Sequence, residues 1–162
     1  MTTRFQPTQA MRVPRGCRGV AAVEFVITAP LLIFLMLAAA EVGRAFVHYD
    51  TLSYSIRSSA RFVSENAIEG TTGVMSLSGS MIAEAQCIAV HGNVACSGDR
   101  LLPNFQTSHV TVASAGNDNI RVTALYPYQS MLGAVLPTFG LGGGSIPLVF
   151  NMRIVVTMRA IT

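Results

Sequence analysis

The sequence predicts an α+β protein in which one long N-terminal helix, transmembrane and then amphipathic, packs on a small antiparallel sheet, with a second short helix beside it. Three observations predict this. Between Val20 and Ala40 lie twenty-one residues whose only charge is Glu24, long enough at about 1.5 Å per residue to cross a hydrocarbon core of about 30 Å. Beyond Ala40 the residues Val42, Ala45, Phe46, Tyr49, Leu52, Ile56, Ala60 and Val63 recur in steps of three and four, the stripe of an amphipathic helix. Near the C-terminus Leu148, Phe150, Met152, Ile154, Val156 and Met158 alternate with Asn151, Arg153, Thr157 and Arg159, the period of two that a half-buried strand requires.

Composition agrees once the anchor is set aside. Hydrophobic residues make up 51% of the 162 and the mean hydropathy is +0.48, high for a soluble globular chain. The net charge of +3 comes from the first nineteen residues, whose four arginines leave seven basic and eight acidic side chains in the remainder. The pI near 9.1 therefore gives no argument for nucleic-acid binding. Arg4, Arg12, Arg15 and Arg18 instead hold the N-terminus in the cytoplasm by the positive-inside rule, which places everything after Ala40 outside. Cys17 falls in the cytoplasmic leader. Cys87 and Cys96 fall on the oxidising side, an even pair that can close a nine-residue step worth about 2 to 3 kcal/mol.

Taken in order, residues Met1 to Cys17 carry Pro7, Pro14 and scattered arginines without apolar periodicity, and read as a disordered leader. A single helix is expected from about Arg18, bent at Pro30 and ending between Asn66 and Gly70, with Arg44, His48, Ser55, Arg57, Ser58, Arg61 and Glu65 on its solvent side. Gly70 to Gly73 break it. A second helix runs from Ser80, as N-cap, to about His91, with Met81, Ile82, Ala85, Ile88 and Ala89 on one face, and Gly92-Asn93 stops it. His109 to Ser114 and Ile120 to Tyr126 form a hairpin around Gly116-Asn117-Asp118-Asn119. Pro127 to Gly144 is irregular yet apolar, and the strand from Ile146 to Ala160 closes the sheet under the helical stripe.

Glu24 is the residue that the apolar run has to explain. A charge inside a bilayer costs at least about 2.5 to 3.5 kcal/mol, so either it snorkels or takes a proton near the interface, or a partner neutralises it. A basic segment ends at Gly19, and Gly19-Val20-Ala21-Ala22-Val23-Glu24-Phe25 puts glutamate fifth after the glycine with an aromatic beside it. This resembles the processing site of class III signal peptides in type IV pilin-like proteins. With Pro30, Glu41-Val42-Gly43-Arg44-Ala45 and Ser59-Ala60-Arg61, the segment from Arg18 to Ala67 is similar to the TadE-like family, minor pilins or pseudopilins of the tight-adherence (Tad) pilus system. The resemblance implies a pilin-like fold, cleavage between Gly19 and Val20 by a prepilin peptidase, and a role for Glu24 with Phe25 in subunit assembly. It also implies a bacterial inner-membrane protein with a single pass, whose partners are the bilayer, other pilin subunits and the assembly platform. Domains follow as a cleaved leader at 1–19, the TadE-like segment at 18–67 with its span at 20–40, and an extracytoplasmic α+β domain at 68–162.

Little in the chain suggests catalysis. His48, His91 and His109 are scattered, and there is no HExxH, GxSxG or phosphate-loop lysine, so no enzyme, cofactor or metal is expected. Cys87, His91 and Cys96 lack a fourth zinc ligand, and a disulfide is the expected state. Glu41 and Arg44, at i,i+3 just past the span, read either as a local ion pair at the interface or as a contact between subunits. Two other functional classes stay open. One is a permanently anchored extracytoplasmic binding or sensing domain; the other is a soluble secreted protein cut after Ala38-Ala39-Ala40, whose small residues fit ordinary signal peptidase.

Overall fold

Helix α1 (Arg18–Asn66) is the first element of the computed structural model, which describes residues 18–68, 75–131, 133, 135–137 and 145–160. The leader Met1 to Cys17, the breakers at 70–73 and the glycine run at 140–144 lie outside the described residues. Helix α2 (Gly79–His91) and a 3-10 turn (Thr107–His109) precede β1 (Val110–Gly116), β2 (Asn119–Tyr128), β3 (Val135–Pro137), β4 (Ser145–Pro147) and β5 (Phe150–Arg159). The architecture is α+β. β1, β2 and β5 form an antiparallel sheet in that order, and β3 and β4 form a separate two-stranded ribbon.

The chain divides into two compact units, Met1–Ala39 and Ala40–Thr162. The first holds the apolar run. It is the stretch, among the described residues, that is long and apolar enough to cross a membrane, and its large side chains from Val20 to Leu37 are exposed except Phe34, which is half-buried. Pro30 lies inside it without interrupting the helix.

In the second unit, Leu52, Ile56, Ala60 and Val63 of α1 and Ala67 just beyond it are wholly buried in one core with Ala85 and Ala89 of α2 and Val110, Ile120, Val122 and Ala124 of the sheet. The expected helix-on-sheet cover is therefore present. Its stripe is rotated at the start, however: Val42, Phe46 and Tyr49 are exposed, while Ser55, assigned to the solvent side, is buried and His48 is half-buried. Farther along, α1 meets α2 at Ser59. Small residues fit there, and buried Ser59 donates from its Oγ to the Ala85 carbonyl at 2.7 Å, which satisfies a hydroxyl that would otherwise be costly to bury.

Helix α2 is capped two residues earlier than expected. Its N-cap is Ser78, not Ser80: Ser78 Oγ accepts from the Met81 amide, and Ser80 Oγ lies 3.0 Å from that same hydroxyl. Gly92 ends the helix in the left-handed conformation at φ 77° and returns its N–H to the Ile88 carbonyl, a geometry that glycine adopts without a Cβ clash. The hairpin is longer than its expected bounds. Asn117 and Asp118 both take positive φ, the type I′ pairing that matches strand twist, and the register shifts between Ser114 and Gly116. The expected final strand is divided, because Leu148-Val149 separate β4, which ends at Pro147, from β5. Within β5, Met152 and Ile154 face inward as expected, but Phe150 remains 49% exposed.

Candidate functional site

The four residues of the expected processing and assembly region all fall on α1. Gly19 and Val20 occupy its first turn, and a Cβ added to Gly19 would meet nothing within 4 Å. Val20 and Phe25 are exposed. Thr28 Oγ1 donates to the Glu24 carbonyl at 2.9 Å, but no hydrogen bond or ion pair reaches the Glu24 carboxylate among the described residues.

A second group gathers at the start of the second unit. Glu41, Arg44 and His48 share one face of α1 at i, i+3 and i+7, and Tyr126 and Tyr128 share one face of β2. The Tyr128 hydroxyl donates to Glu41 Oε1 at 2.6 Å, and the Met131 N–H donates to the same oxygen at 3.3 Å. Next to it the Tyr126 hydroxyl donates to the Pro103 carbonyl at 3.0 Å, so its contact of 3.1 Å with His48 Nδ1 requires the proton to sit on Nδ1. The His48 ring meets Tyr128 edge-on, 5.4 Å between centroids. Arg44 Nη1 is buried without a hydrogen-bond partner among the described residues. Among those residues the ion pair within 4.0 Å is Arg61–Glu65, so Glu41 takes Tyr128 as its partner rather than Arg44.

Electrostatics follow from this packing. Burial pushes the Glu41 carboxyl up, but the Tyr128 and Ser130 side chains, the Met131 amide and the Arg44 charge outweigh it and hold the group below its ordinary 4.5. Burial, and then the Arg44 charge, push His48 below 6.5 against the pull of Glu41. Burial and the adjoining Glu41 carboxylate push the Tyr128 phenol up to about 12. The result is an anionic glutamate, a neutral imidazole and two protonated phenols fastening α1 to the end of β2.

Beside this cluster opens a largely apolar groove of about 500 Å³, between Val42, Ala45, Phe46 and Tyr49 of α1 and Tyr128, Leu148, Phe150 and Met152 from the sheet side, with Glu41 and Asn151 also in its wall. Farther along the chain, Cys87 and Cys96 form a disulfide with 4.8 Å between their Cα atoms. His91 Nδ1 lies 3.1 Å from the Gly98 carbonyl, and Asn93 bonds both the carbonyl and the amide of Ser97, so the loop after α2 is tied at several points.

Sequence reasoning did not single out His48, Tyr126 or Tyr128. The signal was the spacing 41, 44, 48 on the helix and 126, 128 on the strand, two polar sets on faces that have to meet. The groove carried no such signal, since its walls come from segments a hundred residues apart.

Residues 19–61 match the family model described as TadE-like protein. Neither curated proteins nor solved structures give a match to the chain.

Proposed function

We propose, from a TadE-like segment that begins at Gly19, that the chain is a membrane-anchored minor pilin or pseudopilin of a Tad-type pilus, serving adhesion or secretion. The carrying observation is that the match opens on the glycine after which a prepilin peptidase would cut, with Glu24 fifth beyond it. The protein is held in the inner membrane with its N-terminus cytoplasmic, is processed at Gly19-Val20, and is then extracted to join or prime a pilus. Its partners are the bilayer, the peptidase, other pilin subunits and the assembly platform; the second unit makes contacts rather than catalysing a reaction.

The local chemistry supports each step. A protease needs an extended substrate, and the first turn of α1 is inexpensive to unwind because Gly19 has low helix propensity and no side chain packs over it. Cleavage frees an α-amine at Val20. In lipid that cation and the unpartnered Glu24 carboxylate of a neighbouring subunit each carry a desolvation cost, which pairing offsets while setting the axial register of the helices. Glu41, held by the Tyr128 hydroxyl, acts inside the subunit as a fastening, which presents the same face to every neighbour.

The test is the intact mass and N-terminal residue of protein recovered from membranes, with and without the peptidase. A start at Val20 that depends on the peptidase is expected. A start at Glu41 would make the chain a secreted soluble protein, and an unprocessed N-terminus would make it a permanently anchored domain.

A further inference from the structure

We propose that the outer face of the three-stranded sheet binds a carboxylate-bearing polysaccharide outside the cell. The inner face belongs to the core, where Ile120, Val122 and Ala124 of β2 and Met152 and Ile154 of β5 are buried with α1 and α2. Alternation turns Arg121 of β2 and Arg153 and Arg159 of β5 to the opposite side, and all three are exposed. That the polymer is one found outside the cell rests on the reading that the second unit is extracytoplasmic.

Charge singles this face out. From Asn119 to Thr162 those three arginines are the only charged side chains, whereas residues 40–118 carry four arginines against seven Asp and Glu. Among the described residues the ion pair within 4.0 Å is Arg61–Glu65, so no carboxylate neutralises the three there. Register crowds two of them: Arg121 is opposite Thr157 and Asn119 opposite Arg159, which makes Arg121 and Arg159 diagonal neighbours at about 7 to 8 Å. Like charges that close repel. Arg153 and Arg159 also guard the edge strand β5 against stray pairing, but Arg121 is on β2, the central strand, where no edge needs guarding. An anion from outside accounts for all three.

The spacing calls for a polymer. Arg153 and Arg159 stand about 20 Å apart along β5 at about 3.4 Å per residue, farther than one carboxylate can bridge with contacts of about 2.7 to 2.9 Å. Between the arginines the face offers hydroxyls: Thr111 and Thr123 are register partners, and Thr157 lies opposite Arg121. Its outward positions hold no aromatic ring, so the face has no platform for the bases of a single strand. Its apolar members, Leu125 and Val155, are of types that rarely anchor a protein interface. A polyuronate matches what is left, with carboxylates for the guanidinium groups and ring hydroxyls for the threonines.

The full-length chain in detergent micelles is titrated with polygalacturonate, neutral dextran and single-stranded DNA at low salt. Two charge-matched variants are compared: Arg121→Gln with Arg153→Gln on the face, and Arg57→Gln with Arg100→Gln at exposed positions elsewhere. Expected is saturable binding of polygalacturonate and none of dextran. The face variant binds about tenfold more weakly, as the loss of two exposed ion pairs allows, and the other variant stays within about twofold of the unaltered chain. Equal losses in both would assign the binding to net charge and overturn the face. Tighter binding of DNA would make the partner a nucleic acid, and self-association without polymer that the face variant loses would make it a second copy; either overturns the polysaccharide. Location is read separately, by labelling Thr123→Cys on intact cells with a maleimide that does not cross the inner membrane. Labelling without polygalacturonate binding overturns the proposal and leaves the second unit outside, whereas binding without labelling overturns the extracytoplasmic reading and the outside partner with it.

Discussion

At residue scale the telling position is Glu41, whose carboxylate accepts hydrogen bonds from the hydroxyl of Tyr128 and the amide of Met131. Tyr128→Phe removes one donor and leaves the charge less solvated; a hydrogen bond to a charged group is worth about 1.5 to 3 kcal/mol, and that loss is expected in denaturant unfolding of the solubilised chain. An unchanged midpoint would mean that water replaces the phenol. The same cluster sets a pH window. His48 is depressed below 6.5 in the folded state, so its contribution is present above 6.5 and is lost as pH falls, when the unfolded imidazole binds a proton that the folded one refuses. Glu41 is also depressed, so its contribution is present above 4.5 and fades in stronger acid. Tyr128 is raised, so its contribution is complete below 10 and declines as pH rises toward about 12. Thermal unfolding is expected to plateau between about pH 7 and 10, with His48→Gln flattening the first acid decline and Tyr128→Phe the alkaline one. The ingredients of this cluster were legible as spacing. Their meeting was not, because it depends on which strand end reaches the helix.

At the scale of elements, α2 offers a direct discrimination between two serines. Ser78 Oγ receives the Met81 amide, so Ser78→Ala is expected to cost about 1 kcal/mol while Ser80→Ala costs a few tenths, both read from chemical denaturation. Equal losses would return the cap to Ser80. Reduction of Cys87–Cys96 is expected to lower stability by about 2 to 3 kcal/mol, since the bridge limits the unfolded chain rather than adding a contact; the comparison is unfolding with and without reductant. The elements themselves were readable wherever one period dominated. β5 shows it in the alternation of Met152 and Ile154 with Arg153 and Val155, and the hairpin shows it in Asn117-Asp118. The helical stripe was misplaced at its start because apolar character was taken as the mark of burial. Small polar residues instead fill part of the inner face, with Ser55 and Ser59 buried and Phe46 and Tyr49 exposed. Those two exposed rings, which a hydrophobic pattern places in the core, line the groove.

For the whole molecule the question is how an unpartnered carboxylate in the apolar run is tolerated. Glu24 has no partner within the described chain, and the second unit closes its own core and satisfies Glu41 without it. If the partner is the α-amine of a neighbouring processed subunit, then the cost of Glu24 is carried in the membrane and relieved in the assembly, which makes the residue a driver of docking rather than of folding. Glu24→Ala is therefore expected to leave the unfolding of the second unit and the cut at Val20 intact, while the amount of protein recovered in sheared pilus fractions falls sharply. Glu24→Gln separates charge from shape: it keeps the side-chain volume and hydrogen-bonding capacity, so assembly that stays as low as in Glu24→Ala assigns the effect to the carboxylate's charge. Normal pilus incorporation of both variants would detach Glu24 from assembly. The remaining explanation would then be an anchor whose glutamate reaches the interface, with the TadE-like segment acting as a tether for the second unit.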